Sequence, residues 1–157
     1  MKLQDYYQQF EDALLKLGVP AEQARCEEPG QWVLFRDNTE IYVDIWQPDT
    51  MTEFNYYEAE EPPVIFQVLS PVVALPDRSR QDEFYSELLQ MNFNMFFGSF
   101  FINLAENVAA VKYRRVALAI TESEMIESIE SVGYYSGLFS EGLEAKYNIP
   151  TIKQPQV

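Results

Sequence analysis

The stretch "LLQMNFNMFFGSFFINL", residues 88–104, places five phenylalanines and two methionines close together along the chain. Its first half continues a helix that the sequence predicts after Ser79, a residue suited to capping, and Gly98 marks the predicted end of that helix. The apolar side chains of this helix form two adjoining stripes: Phe84, Leu88, Met91 and Met95 on one, and Tyr85, Leu89, Phe93 and Phe96 on the other. An apolar arc this wide predicts a helix that is covered on more than one side.

The sequence that follows this helix predicts a β-hairpin and a last helix. Residues 99–120 are two strand-like runs joined by the turn-forming segment 105–107. Thr121 and Glu124 have the spacing of a capping box, which starts a helix at that point. Three glycines weaken the middle of this helix, so we expect it to kink or split there: Gly133, Gly137 and Gly142.

The sequence that precedes the central helix predicts one helix and three strands. Apolar residues recur at helical spacing over residues 3–17, and residues 32–46 are two strand-like runs around a turn at 36–38. In the second run, alternation places one apolar set toward the core: Ile41, Val43 and Ile45. Residues 64–76 predict a third strand, which we expect to be bulged or interrupted at Pro71.

These elements together predict an α+β fold with the order α-β-β-β-α-β-β-α. The hairpins imply a twisted antiparallel sheet of five strands, and the long helices must cover at least one of its faces. We expect a single domain over residues 1–149, followed by a flexible tail over residues 150–157. The acidic, tyrosine-rich segment 48–63 is interpreted as a loop.

Composition narrows the classes of partner. The formal net charge of −14 disfavours binding to nucleic acid or to anionic membranes. The first residues lack the apolar core of a signal peptide, and no run is long enough to span a membrane, so we expect a cytoplasmic protein. Cys26 is the single cysteine and excludes an intrachain disulfide.

The same composition removes the commonest forms of catalysis. The chain has no histidine, which is the usual general base and a frequent metal ligand. Cys26 lies beside Glu27 and Glu28, whose charges disfavour a thiolate. Two acidic groups could supply paired carboxylates, but we interpret them as solvated charge: Glu58, Glu60 and Glu61, and Glu124 with Glu127. We therefore predict no catalytic residue, no cofactor and no metal site.

The order of elements, together with the passage from "ELLQMN" to "GSFFINL", resembles the YbjN-like branch of the type III secretion chaperone-like fold. Leu88, Leu89, Asn92 and Gly98 occupy the matching places of a leucine-rich helix that ends near an asparagine before a glycine-led strand. The resemblance implies a helix-packed antiparallel sheet, frequently a homodimer, whose exposed apolar surface receives an extended client segment in secretion chaperones.

Three functions follow from these observations. The first is a non-enzymatic protein-binding module, chaperone-like or a regulatory adaptor, which pairs with itself and with a protein client. Its predicted dimer or partner interface consists of Phe84, Leu88, Met91 and Met95. Its second candidate partner surface consists of Tyr42, Trp46, Phe54, Tyr56 and Tyr57. The alternatives are an acidic inhibitor that mimics DNA and an enzyme assisted by carboxylates or a metal.

Overall fold

The computed structural model describes residues 1–49 and 62–152. Within them, five strands form one sheet: β1 Gln31–Arg36, β2 Thr39–Trp46, β3 Ile65–Ala74, β4 Ser99–Asn103 and β5 Val108–Val116. The strand order is β1-β2-β3-β5-β4, and every neighbouring pair is antiparallel. The helices are α1 Leu3–Lys16, α2 Ala21–Ala24, α3 Gln81–Asn94 and α4 Glu122–Tyr147. The predicted α+β class and the order of the long elements are confirmed, and the two short elements that the sequence did not predict are α2 and a 3-10 turn before α3.

The helices pack on one face of the sheet. The ring of Phe10 in α1 lies 4.7 Å from the ring of Trp32 in β1 and 6.2 Å from that of Phe66 in β3. At the opposite edge, Phe139 of α4 packs 5.7 Å from Phe100 of β4. The predicted inward set of β2 is confirmed, because its three aliphatic side chains are buried in this core: Ile41, Val43 and Ile45.

Local sequence signals explain two irregularities of the sheet. The turn between β1 and β2 places Asp37 at φ 52°, a left-handed conformation that aspartate tolerates better than most residues. The pairing of β3 with β5 shifts register between Pro71 and Val73. This confirms the predicted bulge, since proline has no N–H to contribute to a strand ladder.

Helix α4 begins where the capping box predicted. The Thr121 side chain accepts a hydrogen bond from the Glu124 amide, and the Glu124 carboxylate accepts one from the Thr121 amide at 2.8 Å. The predicted split is wrong, because α4 runs as one helix over 26 residues. A Cβ on the buried Gly133 would lie 2.7 Å from Ile41 Cδ1, so this glycine serves close packing against β2 rather than bending.

Helix α3 starts and ends differently from the prediction. A 3-10 turn at Arg78–Arg80 precedes it, and Arg80 occupies the capping position without a side-chain cap, so the assignment of Ser79 as the cap is wrong. Arg80 instead donates to the Lys146 carbonyl at 2.9 Å and ties this end to α4. The helix ends at Asn94, before Gly98, and therefore Phe96 lies beyond it.

The first residues of the predicted C-terminal tail are paired with β3. The Pro150 carbonyl accepts a hydrogen bond from the Ala74 amide at 3.0 Å, and the Ile152 amide donates to the Val72 carbonyl at 2.9 Å. Residues 150–152 therefore continue the sheet beside β3, past the point where β2 starts. The rest of the predicted tail, residues 153–157, lies outside the described residues.

Candidate protein-interaction surfaces

The two adjoining apolar stripes of α3 differ in burial. Phe84 and Leu88 are only 0% and 3% exposed and belong to the core of their own chain. Met91 and Met95 are half-buried and pack against that core. These four residues are the predicted dimer interface, and burial within the chain removes Phe84 and Leu88 from any surface that a partner could contact. Phe84 and Leu88 are thus core residues, and the predicted interface itself stays a prediction.

In the second stripe Tyr85 is half-buried and packs against the core, but the other three residues lie on the surface. Leu89, Phe93 and Phe96 are 70%, 90% and 93% exposed, and we call these three residues the α3 patch. The segment that carries Phe96 is held to α4 by a hydrogen bond from its amide to the Tyr135 hydroxyl at 3.1 Å. Leaving such side chains in water forgoes about 1.5–3 kcal/mol each, and exposed apolar side chains that lie near one another are typical of interaction surfaces.

An apolar groove of about 460 Å³ runs beside the edge strand β1. The described chain covers only the first part of this edge. There the Cys26 amide donates to the Gln31 carbonyl at 2.9 Å, and the backbone of Arg25 forms an isolated antiparallel β-bridge with Trp32. No strand of the described part lies beside the rest of β1. We call this the β1 groove; its lining is mainly apolar residues from the loop after α1, the sheet and α4: Leu17, Val19, Leu34, Phe35, Ile41 and Ile129.

Sequence reasoning missed this groove. Its walls come from segments far apart in the chain, and no local pattern brings Leu17, Phe35 and Ile129 together. Phe35 was the one available signal, because it stands on the solvent side of β1 and is 63% exposed. A bulky apolar residue beside an incompletely paired edge is typical of a site for an extended segment.

The other face of the sheet carries the predicted partner residues Tyr42 and Trp46, both half-buried. A polar row crosses three strands between them: Gln67 donates to the Asp44 carboxylate at 3.1 Å, and Arg114 donates to the Gln67 side-chain oxygen at 2.8 Å. The Arg114 guanidinium also lies over the Trp46 ring at 5.1 Å. Phe54, Tyr56 and Tyr57, the other members of this predicted surface, lie outside the described residues.

Burial sets the electrostatics of this face. It raises the pKa of Asp44 despite the hydrogen bond from Gln67 and the nearby Arg114. Burial, and then the neighbouring Glu40, raise the pKa of Tyr42 to about 12. Burial also lowers the pKa of Lys112, which lies over the Phe101 ring. The polar side chains on this face of the sheet therefore already contact one another or a neighbouring aromatic ring.

The groups considered for catalysis are dispersed. Cys26 is exposed, yet desolvation of its thiol and then Asp44 raise its pKa, so Asp44 rather than Glu27 or Glu28 is the charged neighbour that matters. Glu124 is engaged in the capping box, and Glu58, Glu60 and Glu61 lie outside the described residues. Within residues 1–49 and 62–152, no three His, Cys, Asp or Glu side chains cluster as metal ligands.

The same ranges contain no helix with the length and apolar character needed to cross a bilayer.

Comparison with known proteins shows the fold. No protein-family description matches the chain, and no curated protein matches it in sequence. A chain of the HopA1–SchA chaperone–effector complex matches with a TM-score of 0.58 and 8% identity, over 87% of this chain and 93% of that chain. A chain of the ExsC–ExsE complex matches with a TM-score of 0.61 and 10% identity, over 88% and 93%. The protein therefore has the α+β fold of type III secretion chaperones.

Proposed function

We propose that this protein is a non-enzymatic, cytoplasmic binding module, chaperone-like or a regulatory adaptor of the YbjN-like branch. It acts as a homodimer and holds an extended segment of a client protein. The observation that carries the proposal is the β1 groove beside an incompletely paired edge strand, in a chain whose fold is that of secretion chaperones. A client segment would add main-chain hydrogen bonds along β1 and place apolar side chains in the groove.

The α3 patch supports the proposed homodimer. Leu89 and Phe93 lie on a helix whose other stripe packs in the core, and Phe96 follows that helix; their side chains are 70%, 90% and 93% exposed and so contribute little to packing within the described chain. A two-fold axis through this patch would place the same residues of a second copy against it. The homodimer predicted from the sequence is thus retained, with Leu89, Phe93 and Phe96 as its contact residues.

Capture of the client protein tests whether the β1 groove holds a client segment. The tagged protein is purified from its native cells, and the co-purifying client is identified and then rebound in purified form. Val19→Asp places a charge in the β1 groove, and we expect it to abolish rebinding. Leu118→Asp is the control, because Leu118 is 71% exposed and is not among the residues that line the groove. Equal rebinding by both variants would contradict the proposed site.

The salt dependence of that rebinding separates the proposal from the DNA-mimic alternative. Binding through an apolar groove should persist when the salt concentration is raised, since the hydrophobic effect is not screened. An acidic inhibitor that fills a basic cleft should lose most of its affinity under the same change.

The homodimer is tested by the mass in solution. The double change Leu89→Glu with Phe93→Glu places like charges on both sides of the proposed contact. We expect the wild-type protein to sediment as a dimer and this variant as a folded monomer. Leu104→Glu with Leu118→Glu alters two other exposed leucines and should leave the dimer intact. A dimer in both variants would refute the α3 patch as the contact.

A further inference from the structure

One wall of the β1 groove is built by a short stretch of chain, residues 17–24, which follows α1 and contains α2. It supplies four residues to the lining: Leu17, Val19, Gln23 and Ala24. The start of this wall is fixed by α1, because the Leu17 and Val19 amides both donate to the Leu14 carbonyl at 3.0 Å. The position of the wall therefore depends on how its other end is held.

Arg25 holds that other end, directly after the last residue of α2. Its guanidinium donates two hydrogen bonds of 2.6 Å, one to each carboxylate oxygen of Glu11 in α1. The Glu11 side chain is only 14% exposed, and it also accepts a weaker bond of 3.4 Å from the Trp32 indole. A forked contact of this kind fixes the orientation of the arginine as well as its distance from the carboxylate.

The backbone of Arg25 lies on the edge of the sheet. It pairs with Trp32, and the next amide, that of Cys26, donates to the Gln31 carbonyl, which therefore faces away from β2. The backbone groups of successive residues in a strand point to alternate edges, so those of Phe35 face the same way as those of Gln31. Residues 25–26 thus take the place of an added strand at the start of β1, and no strand of the described ranges does so beside Phe35.

The two contacts of Arg25 act on the same groove. Its side chain holds the wall against α1, and its backbone ends the part of β1 that is already paired. A segment added to β1 must therefore begin beyond Trp32. We propose that Arg25, oriented by Glu11, is a positioning residue of the β1 groove, which sets where along β1 an extended segment pairs. This inference rests on the proposed function, because it concerns the same groove.

The wall has few other sources of order. Helix α2 has four residues, and a helix this short is not stable by itself. Its buried side chains are alanines, Ala21 and Ala24, which bury little apolar surface. The contact between Arg25 and Glu11 therefore contributes directly to the position of the wall. Without it, the wall would have to be ordered when the segment binds, which lowers affinity.

The test follows the full-length protein by NMR with a defined probe, the acetylated and amidated pentapeptide Thr-Val-Thr-Val-Thr. In wild type we expect the Cys26 amide to exchange slowly with or without the peptide, and the Phe35 amide to become protected only when the peptide is added. Arg25→Gln should speed exchange at Cys26 and weaken peptide binding about three- to tenfold, the effect of ordering the wall on binding. Arg25→Lys retains the charge and should have a smaller effect on both.

Arg80→Gln is the matched control, since Arg80 also pairs with a glutamate, Glu83, and does not line the groove. It should leave Cys26 exchange and peptide binding unchanged. Unchanged binding in a folded Arg25→Gln variant would overturn the inference, as would an equal loss in Arg80→Gln, which would indicate a general effect of stability. If wild type itself does not bind the peptide, the β1 groove fails as a strand site, and the proposed function and this inference fall together.

Discussion

Gly133 and Gly142 lie on the same helix in opposite surroundings. Gly142 is exposed, and nothing lies within 4 Å of the position that a Cβ would take, so Gly142→Ala should stabilise the protein by about 0.5–1 kcal/mol. Gly133 is buried against Ile41, and Gly133→Val should destabilise it by about 1–3 kcal/mol through overpacking. Urea unfolding measures the free energy of unfolding of both variants. A Gly133→Val variant as stable as wild type would contradict the close packing of Gly133 against Ile41.

Glu11 gives a pH dependence whose sign is defined. Arg25 donates two hydrogen bonds of 2.6 Å to its carboxylate and lowers its pKa below the ordinary value of 4.5, and Trp32 contributes a weaker bond. Because the pKa is lower in the folded state, the stability that Glu11 supplies is complete above pH 4.5 and is lost as the pH falls through the lowered pKa.

We therefore expect the free energy of unfolding of wild type to exceed that of Glu11→Gln at pH 7, with a difference that shrinks as the pH falls below 4.5. Chemical denaturation of both proteins across this range measures that difference. Lys16→Gln, an exposed change at the end of α1, is the control for loss of a charge that does not contact Glu11. A difference that grows on acidification would mean that the Arg25 contact does not stabilise the fold.

At the scale of elements, Asn92 links α3 to the edge strand β4. Its side-chain nitrogen donates to the Phe100 carbonyl at 3.2 Å, and its side-chain oxygen accepts from the Phe100 amide at 2.6 Å. The asparagine near the end of the leucine-rich helix therefore has a structural role. It satisfies backbone groups that an edge strand otherwise leaves open.

Asn92→Ala should destabilise the protein by about 1–3 kcal/mol, because it leaves both backbone groups of the buried Phe100 without this partner. Asn94→Ala is the control, since Asn94 makes one exposed side-chain bond of 3.3 Å within its own helix. Thermal and urea unfolding compare the two. Equal stability of both variants would show that the contact with β4 is dispensable.

Some features of the helices and strands could be predicted from the sequence, and others could not. The capping box of Thr121 and Glu124 was predictable because both partners lie within one turn of helix. The orientation of α3 was not, since both of its stripes are apolar and periodicity alone cannot tell which one meets the core. The buried ring of Phe84 packs against the ring of Tyr147, a residue far along the chain, with 5.0 Å between the ring centres. The β1 groove was missed for the same reason, because its walls are assembled only by the fold.

At the scale of the whole molecule, charge and apolar surface act against each other. The net charge of −14 makes two copies repel one another, while the α3 patch offers a reason for them to associate. The helices cover one face of the sheet and leave the α3 patch outside. The balance between the two effects therefore depends on screening by salt.

Dimerisation through the α3 patch should therefore strengthen as salt is added. The screening length falls from about 10 Å at 0.1 M to about 3 Å at 1 M, which weakens the repulsion between two acidic copies and leaves the apolar contact intact. Sedimentation equilibrium at both concentrations should give a lower dimer dissociation constant at the higher one. The Leu89→Glu and Phe93→Glu variant should stay monomeric throughout. A wild-type dimer that weakens with salt would instead indicate a contact made by ion pairs, which the α3 patch does not contain.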